Sequence, residues 1–128
     1  MLYTDEKDYI MRMIKEMVRV LFSLMFGKKY VSVELERENK YQVSGNPLEN
    51  LMNMVDLGQI NEAENMLLED LDYGSKEEVM AAVLFYQYVG EKDTEFLEKH
   101  GYSDEEVVFG LKQILKNSGY GELLDLDE

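Results

Sequence analysis

The sequence predicts an all-α fold, a compact bundle of about five main helices, for three reasons. Apolar residues recur at intervals of three and four through most of the 128-residue chain. Serine or asparagine stands three residues before a glutamate at several helix starts, which is the spacing of a capping box. Glycines follow the same stretches, where helices commonly end. The composition, with one proline and nine glycines, suits a single domain over residues 1–128.

The first predicted helix runs over residues 5–27. Its apolar residues keep helical spacing from Ile10 to Met25, and Gly27 followed by two lysines indicates the end. On a helical wheel the polar positions occupy an arc of only about 100°, and the apolar residues occupy the rest. A helix packed on one side needs an apolar arc of little more than about 100°. We therefore interpret residues 1–29 as an amphipathic helix with a second surface to cover.

That second surface is predicted to face the same helix of another copy, in a homodimer. Two-fold dimers are the commonest symmetric assembly, and leaving large apolar side chains in water would forgo about 1.5–3 kcal/mol each. The alternative is that residues 30–44 fold back over this face within one chain. The residues proposed for self-association are Ile10, Met13, Met17, Val20, Leu21, Phe22 and Leu24.

Residues 30–44 carry no clear helical period. Apolar and polar residues alternate at 31–35 and again at 41–43, with a polar run between them. A short hairpin, an irregular excursion and a poor helix all fit this pattern, and irregular structure is favoured.

Two short helices, at 47–57 and 61–72, are expected to open the body of the domain, residues 45–120. Asn46 is expected to cap the first of them, with the proline after it in the first helical position, and Asn61 is expected to cap the second. Because only about three residues join the two helices, they should pack antiparallel.

The stretch SKEEVMAAVLFYQYVG is the predicted centre of the fold, with a helix over 76–90. Its last twelve residues, from Val79 to Gly90, carry no charge. They are too few to span a bilayer, which takes about 20 residues, and they suit a helix buried on nearly all sides. Ser75 and Glu78 have the spacing of a capping box at its start.

One further main helix is predicted at 103–118, after a short turn near 93–99. Ser103 and Glu106 have capping-box spacing, and Gly119 follows the last apolar residues. This brings the number of main helices to five.

Charge and composition limit the function classes. The net charge is −14. Residues 1–29 hold six basic and four acidic residues, and the other 99 residues hold 7 basic and 23 acidic ones. So acidic a body repels phosphate backbones, and we expect no binding to nucleic acid. The absence of cysteine removes disulfides and thiolate catalysis, and it favours either a reducing compartment, such as the cytoplasm, or indifference to redox state. Acidic residues in the first 20 break up any signal-peptide pattern.

The sequence contains no constellation typical of catalysis or metal binding. His100 is the only histidine and is interpreted as a surface or helix-cap residue. The carboxylates near Gly74 do not form a calcium loop, because this glycine falls at the fifth position rather than the sixth. We therefore predict a protein that is not an enzyme and uses no metal or cofactor. The glutamates interpreted as a solvated helix face are Glu62, Glu64 and Glu69.

Four tyrosines are predicted to gather around the central helix. Core packing with the hydroxyl groups at the rim is the simpler interpretation. A surface for a protein or peptide partner is the sharper one, because tyrosine is favoured at binding hot spots. The proposed partner surface consists of Tyr73, Tyr86, Tyr88 and Tyr102.

Two resemblances accompany these patterns. The segment LGQINEAENMLLEDLD resembles the second half of a tetratricopeptide repeat, with Gly58 at the turn and Ala63 where the helices approach. Over the whole chain, DYIMRMIKEMVRVLF, GQINEAENMLLEDLD and YSDEEVVFGLKQI resemble, in that order, a family of short Firmicutes proteins known as a domain of unknown function. The resemblance implies a cytoplasmic bacterial protein with tetratricopeptide-like helical hairpins, and it carries over no catalytic residue.

The function favoured by the sequence is a non-catalytic module for protein–protein interaction that associates with itself. The alternative is a peripheral membrane protein that uses the first helix, whose apolar face has basic flanks. Membrane binding is disfavoured, because anionic lipid would repel the acidic body. An enzyme is the least favoured class.

Overall fold

Helix dominates the computed structural model, which describes residues 2–27 and 41–123. Within these residues there are six helices and one two-stranded ladder, so the fold is essentially all-α, as predicted. The sixth helix is the short turn expected near 93–99. Most of the stretch without clear period, residues 30–40, lies outside the described residues. The elements are α1 (Leu2–Phe26), β1 (Gln42–Val43), β2 (Asn46–Pro47), α2 (Leu48–Asp56), α3 (Ile60–Glu69), α4 (Lys76–Gly90), α5 (Thr94–Lys99) and α6 (Asp104–Asn117).

The serine caps begin their helices as predicted. Ser75 Oγ accepts a hydrogen bond from the backbone N–H of Glu78 at 3.2 Å, and Ser103 Oγ accepts one from Glu106 at 3.1 Å. Asp93 caps α5 in the same way. These bonds satisfy N–H groups that would otherwise have no partner in the first turn.

The predicted asparagine caps are wrong. Asn46 lies in β2, where its Nδ2 donates to the carbonyl of Ser44 at 3.0 Å, and α2 begins at Leu48 without a side-chain cap. Asn61 lies inside α3, and its Nδ2 donates to the carbonyl of Gly101 at 3.2 Å. Asn46 therefore bonds within its own hairpin, two residues back, whereas Asn61 bonds to a segment 40 residues away, which spacing along the chain does not reveal.

Residues 42–47 form a tight hairpin, whereas irregular structure was the favoured interpretation of the stretch that includes residues 42–44. Ser44 and Gly45 both have positive φ, 53° and 77°, which suits a two-residue turn between antiparallel strands. The Ser44 hydroxyl donates to the carbonyl of Leu67 and accepts from the N–H of Asp70. The backbone N–H of Ser44 donates to Glu78 Oε1. The hairpin is thus joined to the end of α3 and the start of α4.

Helix α4 is the centre of the molecule and is buried on nearly all sides, as its composition predicts. Helices α1, α2 and α6 and strand β1 all contact it. A Cβ added at Gly90 would lie 3.1 Å from Met11 Sδ and 3.3 Å from Val107 Cγ1, so α1 and α6 meet closely at its end. Its buried residues are Val79, Met80, Ala81, Ala82, Val83, Leu84, Phe85, Tyr86, Gln87, Val89 and Gly90.

The remaining helices complete one contiguous core around α4. Helices α2 and α3 are joined by three residues, 57–59, and pack on each other. Gly110 of α6 lies against Tyr86, and Val107 lies against Gly90, so α6 runs antiparallel to α4. Buried apolar side chains from all six helices belong to this core.

Candidate interaction surface

Two of the four tyrosines proposed for a partner surface are buried. The hydroxyl of Tyr86 donates to Glu64 Oε2 at 2.6 Å, and the hydroxyl of Tyr102 donates to the same oxygen at 3.0 Å. The two side chains are 1% and 4% exposed. They belong to the core and cannot form a docking surface, because both side chains are almost fully buried.

Glu64 is correspondingly half-buried rather than part of a solvated helix face. It lies on α3 next to Ala63, at the edge of that helix's buried side, and one of its carboxylate oxygens receives both phenols. Burial, followed by the hydrogen bond to Glu64, raises the pKa of Tyr86 above its ordinary value. Burial and then the charge of Glu64 raise the pKa of Tyr102. The cluster joins α3, α4 and the residues before α6.

The phenol ring of Tyr86 is seated directly on Gly110. A Cβ built at Gly110 would come within 2.3 Å of the ring. Only glycine therefore allows α6 to lie this close to the ring in its present position.

The other two tyrosines lie nearer the surface. Tyr88 donates to Asp56 Oδ1 at 2.6 Å, and Lys92 binds the same oxygen at 2.6 Å. Burial raises the pKa of the Asp56 carboxyl, but the hydrogen bonds from Lys92 and Tyr88 outweigh it and hold that pKa below its ordinary value. The Lys92 ammonium also lies 4.9 Å from the centre of the Tyr88 ring. Tyr73 is half-buried beside the core.

His100 is a helix-end residue, in agreement with its interpretation. It is the C-cap of α5, and its Nδ1 lies 2.8 Å from the carbonyl oxygen of Phe96. Its ring covers Gly58, whose φ is +86° at the turn between α2 and α3. His100 thus packs the end of α5 against the turn between α2 and α3.

An ion pair fixes the start of α1 to the body. Lys7 Nζ lies 2.6 Å from Asp104 Oδ1 and donates to the carbonyl of Lys92 at 2.8 Å, while Thr94 donates to Asp104 Oδ2 at 2.7 Å. Both ionic side chains are less than one-fifth exposed, at 17% and 14%. An open, mainly acidic depression of about 430 Å³ adjoins this pair. Its lining residues are Lys7, Asp8, Met11, Glu91, Asp93, Thr94 and Glu95.

Helix α1 buries more of its apolar face in its own chain than the sequence suggested. Met17, Leu21 and Phe22, three of the residues proposed for self-association, are 5%, 0% and 3% exposed. They pack into the core, since α4 and α6 cover this side of the helix. These three side chains are therefore not part of a surface that a second copy could contact. Ile10 is half-buried against the same core.

Four other apolar side chains of α1 stay at least partly exposed and form what we call the α1 stripe. Tyr9 and Leu24 are 53% and 58% exposed. Met13 and Val20 are half-buried and, like Ile10, pack partly against the core. At 3.6 residues per turn the four positions fall within an arc of about 60°. This arc borders the buried side of the helix and holds Tyr9 and Leu24, the exposed large apolar side chains among the described ones of α1.

The described residues offer little for metal or membrane chemistry. No three histidine or carboxylate side chains among them are placed to hold a metal ion. In the same part of the chain, no helix combines the length and apolar character needed to cross a bilayer. Among the residues that the structure describes, none donates a hydrogen bond to the buried Oε1 of Gln87.

The fold and these clusters define a small all-α protein whose ionisable groups hold helices together. The sequence model of a family of unknown function, DUF6483, matches residues 4–119, and the chain belongs to that family. No curated protein matches it. No solved structure matches it either.

Proposed function

We propose that this protein is a non-catalytic helical module that associates with itself through the α1 stripe. The observation that carries the proposal is the exposure of Tyr9 and Leu24, 53% and 58%, on a helix that the core already packs on another side. Single exposed leucines are ordinary on protein surfaces. Four apolar positions along one arc of one helix form a continuous surface, which is typical of a site for another helix.

The carboxylates that could serve chemistry support the non-catalytic part of the proposal. Glu64 receives two phenol hydroxyls, Asp104 receives Lys7 and Thr94, and Asp56 receives Tyr88 and Lys92. Each of them bonds to donors from other segments of the same chain. Their geometry is that of connections between helices, whereas a general acid or base needs an oxygen directed at a substrate.

Two finer expectations belong to the same proposal. A tetratricopeptide-like hairpin of α2 and α3 is supported by the positive φ of Gly58 at the turn and by the complete burial of Ala63. A cytoplasmic location in a bacterium is what the family resemblance implies for such a module.

Light scattering after size exclusion tests self-association at micromolar concentration. We expect about twice the chain mass of 15.0 kDa. The charged variant Leu24→Glu should weaken the dimer more than about 100-fold, because each of two leucines forgoes about 1.5–3 kcal/mol of burial. It should keep the wild-type helical spectrum, since Leu24 is already 58% exposed.

Ser23→Glu is the matched control. Ser23 is the exposed neighbour of Leu24 on the polar side of the helix, so this variant should keep the dimer. A wild-type mass of 15 kDa, the mass of one chain, would defeat the proposal. It would also be defeated if Leu24→Glu and Ser23→Glu dimerised with the same affinity.

A further inference from the structure

We infer that the two copies pair their α1 helices antiparallel, with Tyr9 against the partner's Leu24 and Met13 against the partner's Val20. The inference rests on the proposed self-association and adds the orientation and register of the two helices. A two-fold interface presents the same surface from both copies, so each residue must find its counterpart at a mirrored position along the helix.

The spacing of the α1 stripe has this mirrored form. Tyr9 and Leu24 have the same midpoint along the chain as Met13 and Val20, between Glu16 and Met17. A two-fold axis perpendicular to the helix at that midpoint brings both pairs together at once. The more exposed residues then meet at the two ends of the contact, and the half-buried ones meet near its centre.

The charges beside the stripe are balanced as a group in this arrangement. Arg19 and Glu16 form an ion pair on the polar flank, with both side chains 56% exposed. In the antiparallel pair this flank lies next to the same flank of the partner. Arg19 then lies only two residues, about 3 Å along the axis, from the level of the partner's Glu16. Glu16 lies closer still to the level of the partner's Glu16, one residue or about 1.5 Å along the axis. The two carboxylates thus oppose each other across the two-fold axis, and the two arginines balance them in a group of four charges that is neutral overall.

A parallel pair does not bring these four charges together. Its two-fold axis runs along the helices, so the flank with Glu16 and Arg19 would face the opposite flank of the partner. That opposite flank leads to Met17, which is 5% exposed and packed in the core. The charges would then lie next to an apolar edge of the partner. Each residue of the α1 stripe would lie at the level of the same residue in the partner.

Cysteine cross-linking tests the register directly, because the natural chain has no cysteine. Tyr9→Cys and Leu24→Cys are prepared separately, mixed at low concentration so that subunits exchange, concentrated and oxidised mildly. Positions 9 and 24 are fifteen residues, about 22 Å, apart along the helix. Antiparallel pairing therefore predicts a disulfide dimer in the mixture and almost none in either variant alone.

Two further variants make the experiment robust. Met13→Cys and Val20→Cys repeat it near the centre of the contact, in case either end frays. Lys15→Cys, exposed on another side of α1, is the control and should not link to Tyr9→Cys. Circular dichroism shows that each variant keeps its helices.

The outcomes separate the register from self-association itself. Cross-linking of each variant with itself would mean a parallel pair and overturn the inference alone. A dimeric mass without any cross-link would mean a different interface, with the same consequence. A monomeric mass would overturn both proposals, and slow alkylation of the new thiol in Tyr9→Cys would then show that the chain covers the α1 stripe itself.

Discussion

Glu64 is the residue at which local sequence and tertiary structure differ most. Its position among other glutamates on α3 predicts a solvated side chain, yet it accepts hydrogen bonds from Tyr86 and Tyr102 at 2.6 Å and 3.0 Å. The donors are 22 and 38 residues away. The one local signal is its place beside Ala63, at the edge of the buried stripe.

Removing this carboxylate should destabilise the fold. Glu64→Ala leaves two largely buried phenol hydroxyls without an acceptor, and each such group costs about 1–3 kcal/mol. We expect a loss of about 2–6 kcal/mol in the free energy of unfolding, measured in urea. Glu62→Ala, an exposed change on the same helix, should stay within about 0.5 kcal/mol. Equal effects of the two substitutions would show that the tyrosines need no acceptor.

Helix ends were predictable where the signal lies within a few residues. The Ser75 and Ser103 hydroxyls cap their helices through an N–H three residues on, so short-range spacing suffices. The amides of Asn46 and Asn61 have the same spacing but bond elsewhere, Asn61 to Gly101, 40 residues away. A side chain caps a helix only when no other hydrogen-bond partner competes for it, and the folded structure decides which partners lie within reach.

At the level of elements, the contact between α4 and α6 depends on Gly110. Alanine usually stabilises a helix interior relative to glycine by about 1 kcal/mol. Here the added Cβ would meet the Tyr86 ring at 2.3 Å. We expect packing to outweigh propensity, so that Gly110→Ala lowers stability by about 1–3 kcal/mol, seen as a lower thermal midpoint.

The control for this prediction is Gly121→Ala, where the nearest atom would be 3.7 Å from the new Cβ. That variant should melt close to the wild type. A Gly110→Ala protein that melts higher than the wild type would show that the two helices separate easily.

For the whole molecule, the helical wheel of α1 overestimated the surface left for a partner. It gave the apolar arc correctly, but the extent to which α4 and α6 cover that arc depends on how the body wraps around it. Met17, Leu21 and Phe22 are consequently core residues, and the α1 stripe keeps the most exposed part of the apolar arc. The class of fold follows from periodicity, whereas the division of one apolar face between core and surface follows from tertiary geometry.

The molecule should lose stability steeply above pH 10. The pKa values of Tyr86 and Tyr102 are raised in the fold from an ordinary value of 10.0, by burial and by Glu64. Below that pH both phenols are neutral in both states, and their contribution is fully present. Above it the unfolded chain loses these protons first, so each phenol lowers the free energy of unfolding by about 1.4 kcal/mol per pH unit.

Thermal midpoints measured between pH 8 and pH 12 test this expectation. Tyr86→Phe removes one of the two phenols, and its stability should fall less steeply above pH 10 than that of the wild type. Identical slopes would indicate that Tyr86 ionises in the fold as it does in the unfolded chain.

The ion pair between Lys7 and Asp104 joins residues 97 positions apart, and this separation affects how the protein is made. During translation α1 is complete 78 residues before α6 begins, an interval on the order of 4–16 s at ordinary rates of synthesis. Throughout that time the apolar side of α1 lacks α6 and, for most of it, the completed α4. The apolar side of this helix is therefore exposed for longest during synthesis, for a time set by the rate of translation rather than by thermal opening of the finished protein. During that time nascent chains on the same messenger RNA lie close together.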